Sequence, residues 1–128
     1  MKIEHLAMWV DDLEAMRSFY MKFFKAVSNQ IYVNPQKGFS SYFLSFENGA
    51  RLEIMHRNDI SAEPLERGMV KGLAHFAVSL GSREEVDSLT REIEAAGFTV
   101  VGMPRTTGDG YYESVVADPE GNLIELTV

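Results

Sequence analysis

Apolar and polar residues alternate at the start of the chain. Leu6, Met8 and Val10 share one side and Ile3, His5, Ala7 and Trp9 the other, which predicts a strand over residues 2–10. The period then lengthens. Leu13, Met16, Phe19, Tyr20, Phe23 and Phe24 recur at helical spacing behind Asp11 and Asp12, either of which can cap the helix. That spacing makes these rings core rather than a ligand box. Alternation over 29–33 and 39–47 predicts two more strands, with Asn34-Pro35 and Lys37-Gly38 turning between them. Residues 50–57 make a fourth strand.

The second half repeats this order. Residues 72–80 read as a strand, and Ser82-Arg83-Glu84-Glu85 as a capping box. Val86, Leu89, Ile93 and Ala96 form the expected buried stripe, and Gly97 suits the left-handed position after a helix. Strands follow over 98–102, 111–117 and 123–128, with a tight turn at Asp118-Pro119-Glu120-Gly121-Asn122. Each half is therefore strand, helix, strand, strand, strand. The expected organisation is a single α+β domain over 1–128, with modules 1–57 and 72–128 joined by a polar linker, 58–71, that contains Pro64 and Gly68. A half of ~60 residues is marginal alone, so the halves are expected to share a core or exchange partners.

The repeat extends to individual residues. His5-Leu6-Ala7-Met8-Trp9-Val10 is echoed by His75-Phe76-Ala77-Val78-Ser79-Leu80, and Gly49-Ala50-Arg51-Leu52-Glu53-Ile54 by Gly121-Asn122-Leu123-Ile124-Glu125-Leu126. His5 precedes Glu53 by 48 positions and His75 precedes Glu125 by 50. By strand alternation all four side chains lie on the sheet face away from their helix, in the same phase in both halves. On a curved sheet that face lines a cup, where charge is costly unless paired or bound to metal. Two imidazoles and two carboxylates suit one divalent ion such as zinc, nickel, cobalt or manganese. Taken singly, each has a blander reading: a lone strand His is usually a core or surface residue, and Glu53 can pair with Arg51 on its own face. The in-phase duplication of all four favours the metal. His56 is out of phase with Glu53 and reads as a surface residue at a strand end. Of Tyr111 and Tyr112, at most one faces the cup.

Composition narrows the function classes. The chain has no cysteine, which removes disulfides, thiolate ligands and a cysteine nucleophile. Twelve basic against nineteen acidic residues give a formal charge of −7, with no basic cluster, so nucleic acid is a poor partner. No apolar run approaches the ~18 residues of a membrane span, and the first residues are not a secretory signal; a cytoplasmic location is expected.

The opening His5-Leu6-Ala7-Met8-Trp9-Val10-Asp11-Asp12-Leu13, the helix residues Phe19-Tyr20 and the ending Asp118-Pro119-Glu120-Gly121-Asn122-Leu123-Ile124-Glu125-Leu126 resemble the vicinal oxygen chelate superfamily. This superfamily holds glyoxalase I (lactoylglutathione lyase), fosfomycin-resistance thiol transferases, extradiol dioxygenases and bleomycin-binding proteins. The resemblance covers essentially the whole chain. It implies two tandem βαβββ modules forming a cupped mixed sheet around a metal, with the helices outside. It also implies glyoxalase I-type ligands at His5, Glu53, His75 and Glu125, and a homodimer in which one chain's first pair meets the other's second pair. The implied activity is isomerisation of a thiol–2-oxoaldehyde hemithioacetal through an enediolate, as in methylglyoxal detoxification. Glu125 is the expected base, with Glu53 sharing that role or acting only as ligand.

One departure concerns the thiol. Bacterial glyoxalase I commonly has an arginine that contacts glutathione at the position matching Trp9. The indole here makes Trp9 a pocket-lining or packing residue and leaves polar contacts to Arg57, Asn58 or Arg105, the last beside a flap-like loop over 106–110. Glutathione is therefore in question as the thiol. The rivals are a fosfomycin-type thiol transferase or an extradiol dioxygenase, both of which use three protein ligands, and a non-catalytic drug- or metabolite-binding module. An epimerase acting beside a thioester carbonyl would use much the same ligands.

Overall fold

The computed structural model describes residues 1–60, 67–69 and 71–128. Pro64 and half of the expected linker, residues 61–66 and 70, lie outside them. The chain divides into two compact units, Met1–Glu63 and Pro64–Val128. Among the described residues no helix is long and apolar enough to cross a membrane.

The first unit runs β1 (His5–Trp9), α1 (Leu13–Phe24), β2 (Val27–Ser28), β3 (Tyr32–Asn34), β4 (Phe39–Ser45) and β5 (Arg51–Arg57). Its strands form a mixed sheet in the order β1-β5-β4-β2, with β3 also on β4. Only β1–β5 is parallel. Asp12 is the cap of α1: its side chain accepts from the Ala15 amide. Met16, Phe19, Tyr20 and Phe23 are buried against Tyr42, Leu44, Leu52 and Ile54, the helix-side residues of β4 and β5. Two strands differ from the sequence expectation. Residues 29–33 are not one strand, because the Asn29 side chain and amide take the Phe43 amide and carbonyl and separate β2 from β3. The first strand begins at His5 rather than at residue 2.

The second unit runs β6 (Phe76–Ser79), α2 (Arg83–Ala95), β7 (Val100–Thr106), β8 (Tyr112–Ala117) and β9 (Leu123–Thr127). Its sheet order is β6-β9-β8-β7, again with one parallel pair, β6–β9. Ser82 caps α2 by accepting from the Glu85 amide. Here the expected stripe needs correction: Ala96 is exposed, and Thr90 takes a core position beside Val86 and Ile93. A buried hydroxyl must be satisfied. Thr90 donates to the Val86 carbonyl at 2.6 Å and meets the Ser114 hydroxyl at 2.7 Å. Strand β7 also runs past the expected end at 102, through Pro104 to Thr106. It is an edge strand with register shifts on both sides of Gly102, a place where a missing amide proton is tolerated.

The end of the linker is docked on this second unit. Arg67 donates to the Asn122 side chain at 2.8 Å. Gly68 has φ +80°, and a Cβ there would stand 2.6 Å from Leu123 Cδ1 and 3.1 Å from the Ala74 carbonyl, so only glycine fits.

Candidate metal centre

In each unit the first and last strands are paired in parallel, and the register is the same. Ala7 stands opposite Glu53, and Ala77 opposite Glu125, with the histidine two residues earlier in each case. Leu52, Ile54, Ile124 and Leu126 face the core, so the carboxylates point to the other side of their sheets. His5 Nε2 lies 3.9 Å from Glu53 Oε2, and His75 Nε2 lies 3.4 Å from Glu125 Oε2. Two ligands each ~2.1 Å from a tetrahedral ion are about 3.4 Å apart, so both pairs are spaced for neighbouring positions on one divalent ion. Among the described residues, no group of three or more His, Cys, Asp or Glu is arranged to hold a metal. Each unit presents one His–Glu pair.

The first pair is clamped. His5 Nδ1 donates to Glu4 at 2.5 Å, and the His5 ring meets Phe43 edge-on at 5.4 Å. Glu4 also accepts from Arg51 at 2.8 and 2.5 Å, and that guanidinium lies 4.1 Å above Phe43. The hydrogen bond from His5 holds the Glu4 carboxyl below the usual carboxylate range; a desolvation cost opposes it and Arg51 adds to it. Arg51 is thus committed to Glu4, not to Glu53. Glu4 was not legible as a site residue, because its link to Arg51 spans 47 positions. It is a carboxylate that fixes the imidazole by Nδ1 and turns Nε2 toward Glu53.

At the position before His75 the second unit has Ala74 where the first has Glu4. It has a second carboxylate instead. Burial pushes the Glu125 carboxyl above its ordinary range, and the charge of Glu113 adds to this while His75 opposes it. Glu113 pairs with Arg105 across β7–β8 at 3.5 Å. Glu113 was also missed by sequence reading. The signal was present: alternation within 111–117 puts it in phase with Val115, which the sheet then sets opposite Glu125.

The other expected site residues are placed as follows. Trp9 shares the Glu53 face and meets Phe39 edge-on at 6.1 Å. Arg57 is held by both oxygens of Asp59 at 2.5 and 2.6 Å, with its guanidinium 5.8 Å from the Trp9 ring centre. Asn58 faces His56 Nε2 at 3.0 Å, while His56 Nδ1 donates to the Val10 carbonyl at 3.0 Å and ties the ends of β1 and β5. The 106–110 loop is closed by backbone bonds from Thr107 to Tyr111 and from Gly110 to Thr107. Tyr112 turns to the helix side and donates to Asp87 at 2.6 Å; Tyr111 is exposed.

Residues 2–126 match the family model described as Glyoxalase/Bleomycin resistance protein/Dioxygenase superfamily. The chain belongs to that superfamily. Two full-length relatives within reach of it are uncharacterized proteins. YqjT of Bacillus subtilis is 30% identical over 127 residues, covering 97% of this chain and 96% of its own. PA2024 of Pseudomonas aeruginosa is 33% identical over 128 residues, covering 98% and 86%. Glyoxalase I from Zea mays superposes with a TM-score of 0.80 at 20% identity, over 98% of this chain and 44% of the maize chain. That likeness establishes the superfamily fold, and the present chain spans less than half of the maize enzyme.

Proposed function

We propose that the protein is a metal-dependent lyase of the glyoxalase I type. His5, Glu53, His75 and Glu125 hold one divalent ion, and two copies of the chain complete the site. The observation that carries this reading is the duplicated register: in both units a His Nε2 and a Glu Oε2 stand 3.4–3.9 Å apart on the same face. A bound ion supplies Lewis-acid stabilisation of negative charge developing on two adjacent substrate oxygens. Glu125 takes the proton from the carbon between oxygen and sulfur of a hemithioacetal and returns it to the neighbouring carbon. In the metal-free chain its partial burial and the nearby Glu113 raise its proton affinity. Glu53 binds, and Glu4 holds His5 in the tautomer that leaves Nε2 free.

The test is metal add-back with turnover. The protein is stripped of metal and given zinc, nickel, cobalt or manganese singly. It is then assayed on methylglyoxal premixed with glutathione or other small thiols, beside Glu125→Gln. Metal-dependent conversion lost in the variant supports the lyase. Metal uptake at one ion per site without turnover moves the chemistry to another substrate of the superfamily. Absence of uptake removes the metal centre and favours a binding module.

A further inference from the structure

A glycine stands shortly before the last strand of each unit, and the two turns that hold it differ. In the second unit Gly121 follows Glu120, and its amide donates to the Asp118 carbonyl at 3.0 Å. In the first unit Gly49 follows Asn48 at the tip of the β4–β5 connection, where both residues are exposed. Among the described residues, neither the Gly49 amide nor the Asn48 side chain makes a hydrogen bond. Gly49 has φ +91°, and no atom lies within 4 Å of the point where a Cβ would stand. A nucleophilic amide and an electrophilic side-chain amide are thus adjacent, unbonded and unhindered.

The other asparagines lack this combination. Asn29 and Asn34 accept from the Phe43 and Lys37 amides at 2.7 and 3.2 Å, and Pro35 after Asn34 has no amide proton. Asn58 is paired with His56, and Asn122 is held by Asp118 at 2.7 Å and by Arg67 at 2.8 Å. The Asp109–Gly110 turn has the same following glycine, but the Gly110 amide donates to the Thr107 carbonyl at 3.0 Å and the Thr107 hydroxyl donates to Asp109.

We infer that Asn48–Gly49 is a self-modification site, where the chain deamidates without an enzyme and so loosens the β1–β5 join. The Gly49 nitrogen loses its proton and attacks Cγ of Asn48; the new C–N bond closes a succinimide as the Asn48 Cγ–Nδ2 bond breaks and ammonia leaves. Water then opens the ring at either carbonyl, giving aspartate or isoaspartate. The balance is asparagine plus water to a carboxylate and ammonia, with no change of oxidation state. The isoaspartyl chain runs through Cγ, so its backbone is one methylene longer. Two residues beyond Gly49, the Arg51 amide donates to the Glu4 carbonyl at 3.0 Å, the bond that begins the parallel pairing of β1 with β5. Added length just before it strains that register. The inference is independent of the metal centre.

The experiment is ageing of the full chain at mildly alkaline pH, followed by peptide mass spectrometry and enzymatic methylation of isoaspartate. Asn48 is expected to gain one mass unit at least about tenfold faster than any other asparagine, and Asn48→Gln to stay unmodified. Amide hydrogen exchange then reads the join. In the isoaspartyl form the Arg51 amide exchanges about tenfold faster, while Leu80, whose amide makes the corresponding bond to Thr127 in the second unit, keeps its rate. Fresh Asn48→Asp, which has the charge without the methylene, exchanges like the wild type. Asn48 that reacts no faster than the other asparagines overturns the site. Unchanged exchange at Arg51 in the isoaspartyl form, or an equal rise at Leu80, overturns the loosening of the join.

Discussion

Beside the His–Glu pair of the first unit, one step along the sheet, the cross-strand row reads Trp9, Met55, Ser41 and Tyr32. The same register positions of the second unit hold Ser79, Thr127, Glu113 and Arg105. The rows that carry Glu53 and Glu125 keep Ala and Glu in both units, with Phe43 in one where Val115 stands in the other, while the rows next to them hold two aromatics in one unit and two charges in the other. Backbone pairing sets where a side chain stands and leaves its chemistry open. The two units thus give the same His–Glu pair in different surroundings: a histidine gripped by a neighbouring carboxylate in the first, a carboxylate crowded by another in the second.

The sharpest break of this comparison is between the two glutamates. Glu125→Gln is expected to lower turnover by about a thousandfold, as for loss of a general base, whereas Glu53→Gln mainly weakens metal binding. Single-turnover rates at saturating metal separate the two; equal losses would make both residues proton carriers. Next in size is the histidine clamp. Glu4→Gln is expected to weaken zinc binding about tenfold, the low end for loss of a residue that orients a ligand. Ala74→Glu, which copies the clamp into the second unit, is expected to strengthen it. Competition against a chromophoric chelator measures both, and no change in either variant would mean that Glu4 serves only the β1–β5 edge.

Smaller effects concern stability. Asp12→Ala and Ser82→Ala each remove a helix cap and are expected to cost about 1 kcal/mol in urea unfolding. A large difference between them would show that one unit unfolds ahead of the other. The smallest effect is a pH slope in the metal-free protein. The Glu125 carboxyl is raised by burial, so the folded state holds its proton more tightly than the unfolded chain does. That stability is fully present below the ordinary carboxylate range and falls as pH rises from there through the raised value. Glu125→Gln should flatten the slope, and added zinc should oppose it.

Much of this was legible in the sequence, and the remainder has physical reasons. The helix faces, the Asp12 and Ser82 caps and the phase of His5, Glu53, His75 and Glu125 depend on periodicity within one element, which a sequence displays directly. Asn29 reads as part of a strand because its interrupting bonds go to Phe43, fourteen positions away. The expected strand stops at 102, short of Pro104, because the edge position that tolerates a proline is a property of the sheet, not of the segment. Thr90 is absent from the expected stripe because the partner that satisfies its buried hydroxyl, Ser114, is on another element. Glu4 escaped because its meaning comes from a cross-strand neighbour, Arg51, and Glu113 because alternation gives its face but only the register brings it near Glu125.

The parallel pairing of first and last strands also has a consequence for assembly in time. In either unit the imidazole is placed by the opening strand and its carboxylate by the closing one, with the helix and the antiparallel strands between them. Contacts of such long sequence separation form late, after the loop-closure entropy of the intervening chain has been overcome. A half-folded unit therefore exposes a histidine with no carboxylate opposite. On the metal centre proposed above, firm capture of the ion waits for the closing strands, and the rate of metal uptake during refolding would time the completion of the His–Glu pairs.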